Sequence, residues 1–179
     1  MSYRNQSDLY SEDNISKYPA IELLCKLGFE YISPEDCMAQ RGSLYDVLLK
    51  DILRKQLNAI NQFEFGGITY KFTADNVEKA IKDLDEPLTD GLVRTSEKIY
   101  DALMLGKSYL EKLSDGTSKS FNLKYIDWEH PERNVYHVTE EFSCDSWDKQ
   151  KNARPDIVLF VNGIPFAVIE CKAPTISVD

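Results

Sequence analysis

Over the first two thirds of the chain, apolar residues recur every three to four positions, the spacing of helices that bury one face. Ile21, Leu24 and Leu27, followed by Gly28 as a C-terminal cap, predict a first helix over about 16–27. Ser43 is a candidate N-cap for a second helix running to about Asn61, with Leu44, Val47, Leu48, Ile52, Leu57 and Ile60 separated from Asp51 and Lys55. Thr73 precedes a third segment, Ala74 to Asp83, in which Val77, Ala80, Ile81 and Leu84 share a face. The stretch from Thr95 to Leu113 repeats the pattern with Ile99, Leu103, Leu110 and Leu113. Residues 1–14 are polar and read as irregular.

The character changes at the turn cluster Ser114-Asp115-Gly116-Thr117. Beyond it β-branched and aromatic residues dominate, predicting strands at about 121–127, 134–143, 155–161 and 165–172. Short linkers favour antiparallel neighbours: His130-Pro131-Glu132-Arg133 would join the first pair and Asn162-Gly163 the last. The last two strands, Ile157 to Val161 and Phe166 to Ile169, are apolar at every position, the pattern of strands covered on both faces. The fold class that follows is α/β, a mixed central β-sheet flanked by helices, in a single domain over residues 1–179.

Composition narrows the function. A formal net charge of −9 argues against a broad face that grips nucleic acid, since phosphate affinity comes mainly from Lys and Arg. Cys25, Cys37, Cys144 and Cys171 are widely spaced and contain no C-x-x-C pair, so they read as reduced thiols. The sequence contains no apolar run long enough to span a bilayer, and its polar opening is unlike a signal peptide; the expected location is the cytoplasm, away from membranes. No glycine-rich phosphate loop is present, so this segment is not expected to bind ATP.

The candidate chemistry lies at the end of the chain. Arg154-Pro155-Asp156 leads into one apolar strand, Asn162-Gly163 turns it, and the second apolar strand runs into Glu170-Cys171-Lys172. Three ionisable residues therefore stand at one end of a hydrophobic hairpin, where a bound cation would offset the cost of the charges. Strand parity makes this testable. With a plain two-residue turn, Asp156 would face Ile169 and Glu170 would point from the opposite side of the sheet. A three-residue loop, or an equivalent bulge, puts Asp156, Glu170 and Lys172 on one face. Two carboxylates and the Cys171 carbonyl are hard oxygen ligands suited to Mg²⁺, and an ammonium at Lys172 could orient a water nucleophile or stabilise developing charge. Lys149, Lys151 and Arg154 form a small basic cluster before the aspartate, candidates for contact with a phosphate backbone.

The order Pro-Asp, hairpin, Glu-x-Lys resembles the PD-(D/E)xK nuclease motif, and RPDIVLFVNGIPFAVIECKAP resembles the matching stretch of type I restriction enzyme R subunits. Asp127-Trp128 followed by Asn134, and the helix ending Lys26-Leu27-Gly28-Phe29-Glu30-Tyr31, are also similar to that family's amino-terminal region. The resemblance implies a restriction-endonuclease-like fold that cleaves double-stranded DNA within a complex containing specificity and methyltransferase subunits. It implies Asp156 and Glu170 as metal ligands, Cys171 lending its carbonyl, and Lys172 as the catalytic lysine. The family's later Gln-x-x-x-Tyr helix and its ATP-driven translocase domains are not in this sequence, which on that comparison is a fragment of a longer subunit. The family also tends to carry an acid on its first helix; Glu22 is the candidate by placement, with Glu12 and Asp13 as rivals. The alternative is a non-catalytic assembly or weak DNA-binding module with the same fold.

Overall fold

The computed structural model describes residues 13–85, 91–145 and 152–172. The backbone divides into two compact units, Met1–Val47 with Tyr136–Asp179 and Leu48–Val135. The fold is mixed α/β, and the sheet that carries the predicted site is in the first unit.

That unit opens with a π-helical turn, Asp13–Lys17, and continues into α1, Tyr18–Lys26. Gly28, at φ +103°, lets the chain leave the helix in a left-handed turn, and the Phe29 N–H donates back to the Leu24 carbonyl at 3.1 Å. β1 (Glu30–Tyr31) follows, and then α2 (Pro34–Arg41), capped by Ser33 through its acceptance of the Asp36 N–H. β6 (Tyr136–Glu140), β9 (Ile157–Val161) and β10 (Ile164–Ile169) complete a four-stranded sheet in the order β1-β6-β9-β10. β1 pairs parallel to β6 and the other pairs are antiparallel, so the sheet is mixed. Ile21 and Leu24 of α1 pack on Val138, Ile157, Leu159, Ile169 and Cys171. Residues of opposite parity face α2, where Arg41 stacks over Phe142 at 4.0 Å and Phe142 meets Phe160 edge-on at 5.5 Å. Also in this unit, β7 (Cys144–Asp145) pairs with β8 (Asn152–Ala153).

The second unit contains α3 (Lys50–Ile60), the hairpin β2 (Phe63–Phe65) and β3 (Ile68–Tyr70), α4 (Ala74–Leu84), α5 (Leu92–Leu105), and the hairpin β4 (Lys107–Lys112) and β5 (Ser118–Leu123). Leu57 of α3 and Val77, Ala80 and Ile81 of α4 are buried, as their periodicity implied; Leu53 is buried in place of Ile52, which like Ile60 is half-buried. Ser43 caps a turn instead of a helix, accepting the Asp46 N–H at 3.3 Å, and α3 begins seven residues later at Lys50. The helical stretch expected from Thr95 to Leu113 is broken at Gly106, where φ is +75° and a Cβ would lie 2.5 Å from the Leu123 carbonyl oxygen. Beyond it the chain is strand, with Tyr109 and Glu111 turned inward and Leu110 outward. Ser118–Leu123 consequently finds its antiparallel partner in Lys107–Lys112, and the hairpin expected through residues 130–133 is not formed. Those residues form a 3₁₀ turn, Pro131–Arg133. Asn134 closes it, accepting the Asp127 N–H at 2.9 Å and donating to the Asp127 carbonyl at 2.9 Å. Among the described residues no helix is long and apolar enough to cross a membrane.

Candidate metal centre at the end of the β9–β10 hairpin

The hairpin turn is the two-residue form: Asn162 and Gly163 both have positive φ, 55° and 83°, and Val161 pairs with Ile164. Left alone, that register would separate the acids. It shifts between Pro165 and Ala167, where Phe166 is the extra residue. Pro165 pairs with Phe160, but Ala167 pairs with Leu159 and Ile169 with Ile157. The ladder ends at that pair; continued by one step, it would set Glu170 opposite Asp156. Proline is suited to this spot because it lacks the N–H that an unbroken ladder would use.

A direct bond ties the two ends together. The Cys171 N–H donates to Asp156 Oδ2 at 2.7 Å, which holds the carboxylate against the last residues of the hairpin. Asp156 Oδ1 has no hydrogen-bond partner among the described residues. Cys171 is 3% exposed and packs with Ile21, Val138 and Ile157, so its neighbours Glu170 and Lys172, of opposite parity, point to the other side of the sheet. Both are exposed, and neither makes an ion pair or hydrogen bond with a described residue, nor do they pair with each other.

The same alternation corrects the expectation that both hairpin strands are covered on both sides. β9 is, but β10 is the edge of the sheet: Phe166 and Val168 are 54% and 56% exposed. An apolar sequence marks a strand, whereas whether both faces are covered depends on what packs there.

Of the acids proposed for the first helix, Glu22 is exposed and salt-bridged to Lys26 at 2.6 Å, one turn along the helix. The pairing with Lys26 holds its carboxyl below the usual range. Glu12, like Lys149 and Lys151, lies outside the described residues, and the Asp13 side chain is not described. Arg154 is described, and its guanidinium is paired with Glu141 Oε2. The other oxygen of Glu141 meets the buried ammonium of Lys17 at 2.5 Å, and Lys17 also lies 3.5 Å from Glu140. Tyr31 donates to Glu140 at 2.9 Å; burial and that carboxylate push its phenol up to about 12. Neither Glu141 nor Lys17 was singled out from the sequence, where they stand 124 residues apart. The Glu141 φ of +52°, which distinguishes it, leaves no mark in the sequence.

Among the described residues no three or more His, Cys, Asp or Glu side chains converge on one point. The candidate donors are the two carboxylates of Asp156 and Glu170 at a sheet edge. In the same unit, a cavity of about 480 Å³ is lined by Cys37, Met38 and Arg41 of α2 with Glu141, Phe142 and Ser143; the three predicted site residues stand outside it.

A sequence profile described as the type I restriction enzyme R protein N terminus matches residues 9–179. The chain belongs to that family. Among its relatives, a Methanocaldococcus jannaschii protein named as the MjaIXP type I restriction enzyme endonuclease subunit is 30% identical over 170 residues, 92% of this chain and 15% of its own length. The HindI endonuclease subunit of Haemophilus influenzae is 25% identical over 171 residues, 93% of this chain and 15% of its own. This R-protein N-terminal chain thus spans about 15% of the length of these curated relatives. Its match takes in both units and the whole of the Asp156 to Lys172 hairpin.

Proposed function

We propose that this chain is the DNA-cleaving module of a type I restriction enzyme, a metal-dependent endonuclease domain that hydrolyses phosphodiester bonds of double-stranded DNA. The observation that carries the reading is the register shift at Phe166, which gives Glu170 the strand parity of Asp156 just beyond the last paired residues, while the Cys171 N–H holds one Asp156 oxygen. The family and the endonuclease names of its relatives support the same reading.

The residues fit a hard divalent cation. Mg²⁺ keeps several waters and takes one or two carboxylates along with phosphate oxygens, so a two-acid edge suits it better than a closed cage of ligands. Asp156 through Oδ1, Glu170 and the Cys171 carbonyl would hold it; when bound it would polarise the scissile phosphate and lower the pKa of a coordinated water. Asp156 is already oriented by the Cys171 N–H, which removes part of the reorganisation a loose carboxylate would need. Lys172, exposed on the same side and without a partner among the described residues, would orient the attacking water or stabilise charge on the phosphate. An exposed edge suits a duplex backbone better than an enclosed pocket would. On this reading the other subunits supply specificity and most of the DNA grip, and ATP is used by translocase domains elsewhere in the longer protein.

The test is plasmid cleavage by the reconstituted full-length complex carrying Lys172→Ala, with ATP hydrolysis followed in parallel. Cutting is lost and ATP hydrolysis retained. Loss of both together would point to an assembly role for this module, and retained cutting would end the nuclease assignment of Lys172.

A further inference from the structure

Asp156 is held from two sides, and only one of them belongs to the Glu-x-Lys strand. On the other side the regular β6–β9 ladder ends at Glu140 and Ile157, but two more main-chain bonds carry it on. The Glu141 N–H donates to the Asp156 carbonyl at 3.0 Å and the Phe142 N–H to the Pro155 carbonyl at 3.2 Å. Glu141 makes this extension with φ at +52°, a conformation that costs a side chain with a Cβ. Non-glycine residues hold such a conformation only where surrounding contacts over-determine it. The contacts here are ionic: Oε1 on Lys17, whose ammonium is buried, and Oε2 on Arg154, two residues before Asp156. Lys17 stands at the entry to α1, so the clasp links the first helix, the end of β6 and the Arg-Pro-Asp turn.

We infer that Glu141 is a positioning residue for Asp156, fixing the backbone of the Pro155-Asp156 turn while the Cys171 N–H fixes the carboxylate. The inference rests on the reading that Asp156 helps hold a divalent cation. It also assigns the charge of Arg154 to the protein itself, where the sequence had suggested the phosphate backbone. Residues that orient metal ligands without touching the metal commonly change metal affinity or activity about 10–100-fold when replaced.

The experiment uses the full-length subunit assembled with its partners and measures Mn²⁺ binding by electron paramagnetic resonance without nucleotide, beside plasmid cleavage and ATP hydrolysis. Glu141→Asn tolerates the left-handed backbone but cannot carry the ion pairs, and Glu141→Asp keeps both the backbone tolerance and the charge. Glu141→Asn is expected to weaken Mn²⁺ binding about 10–100-fold with ATP hydrolysis unchanged. Glu141→Asp should recover most of that loss. Wild-type Mn²⁺ affinity in Glu141→Asn, where Asp156→Ala has lost it, would overturn the inference and leave the nuclease reading standing. A fall in ATP hydrolysis and melting temperature matching the loss of Mn²⁺ would reduce Glu141 to a structural role and overturn it too. If Asp156→Ala itself binds Mn²⁺ as the wild type does, the reading beneath the inference fails.

Discussion

At Cys171 the main chain and the side chain do separate jobs. The N–H serves Asp156, while the thiol is buried against Ile21, Val138 and Ile157. Replacing the thiol should therefore cost packing and little else: Cys171→Ala is expected to lower stability by about 1 kcal/mol, read by urea unfolding, with Mn²⁺ binding kept. Asp156→Asn makes the complementary case. An amide oxygen can still accept the Cys171 N–H, so the fold should hold within about 1 kcal/mol while the charge a cation requires is gone. Retained Mn²⁺ binding in that variant would remove Asp156 from the site. The residue types at Asp156, Glu170 and Lys172 were legible from sequence because charges at the mouth of an apolar hairpin need a reason. Glu141 was not legible, since its role depends on a backbone angle and on Lys17, distant in sequence.

At the scale of elements, the bulge at Phe166 decides which face Glu170 and Lys172 take. Side chains alternate along a strand, so a single extra residue exchanges the two faces of everything beyond it. Inserting one residue between Val168 and Ile169, beyond the bulge, should set Ile169 across from Asp156 and turn Glu170 and Lys172 toward the side now taken by Cys171. Mn²⁺ binding should be lost although every candidate residue is still present, and binding that survives the insertion would show that the shared face is not what holds the cation. Strand parity required an odd-length loop or an equivalent bulge; the turn itself is the even, two-residue kind and the bulge lies downstream of it. The same scale shows where periodicity misled. Leu110 and Leu113 continue a helical spacing, but Gly106 stops α5 with a backbone conformation that a Cβ would obstruct at the Leu123 carbonyl. Gly106→Ala is accordingly expected to destabilise the protein by about 1–3 kcal/mol in denaturant titration. The β2–β3 hairpin, turning at Gly66-Gly67 with both φ positive, carried a readable signal in its Gly-Gly pair that the helical reading of its surroundings passed over.

At the scale of the whole molecule, 30 acidic residues against 21 basic ones leave few cations for phosphate, and Arg154 is among those already paired within the protein. Each neutralised phosphate contributes roughly 0.9 to the slope of log affinity against log salt. For this chain alone, binding to duplex DNA should be weak, with a slope of magnitude below about 3, measured by fluorescence anisotropy across a salt series. A slope near that of proteins contacting many phosphates would mean that this module, and not its partners, grips the DNA. The sequence by itself determined what local chemistry controls: α1, α3 and α4 from their apolar periodicity, β9 and β10 from their apolar runs, the Asn-Gly turn, and the residue types of the site. Only the tertiary structure decided what depends on distant neighbours: that β10 is an edge with one open face, that Ser118–Leu123 pairs backward with β4, that Phe166 shifts the register, and that Glu141 clasps Lys17 and Arg154. Propensity and spacing act within a few residues, whereas coverage, pairing and ionic partners are settled by whichever chain segments meet in space.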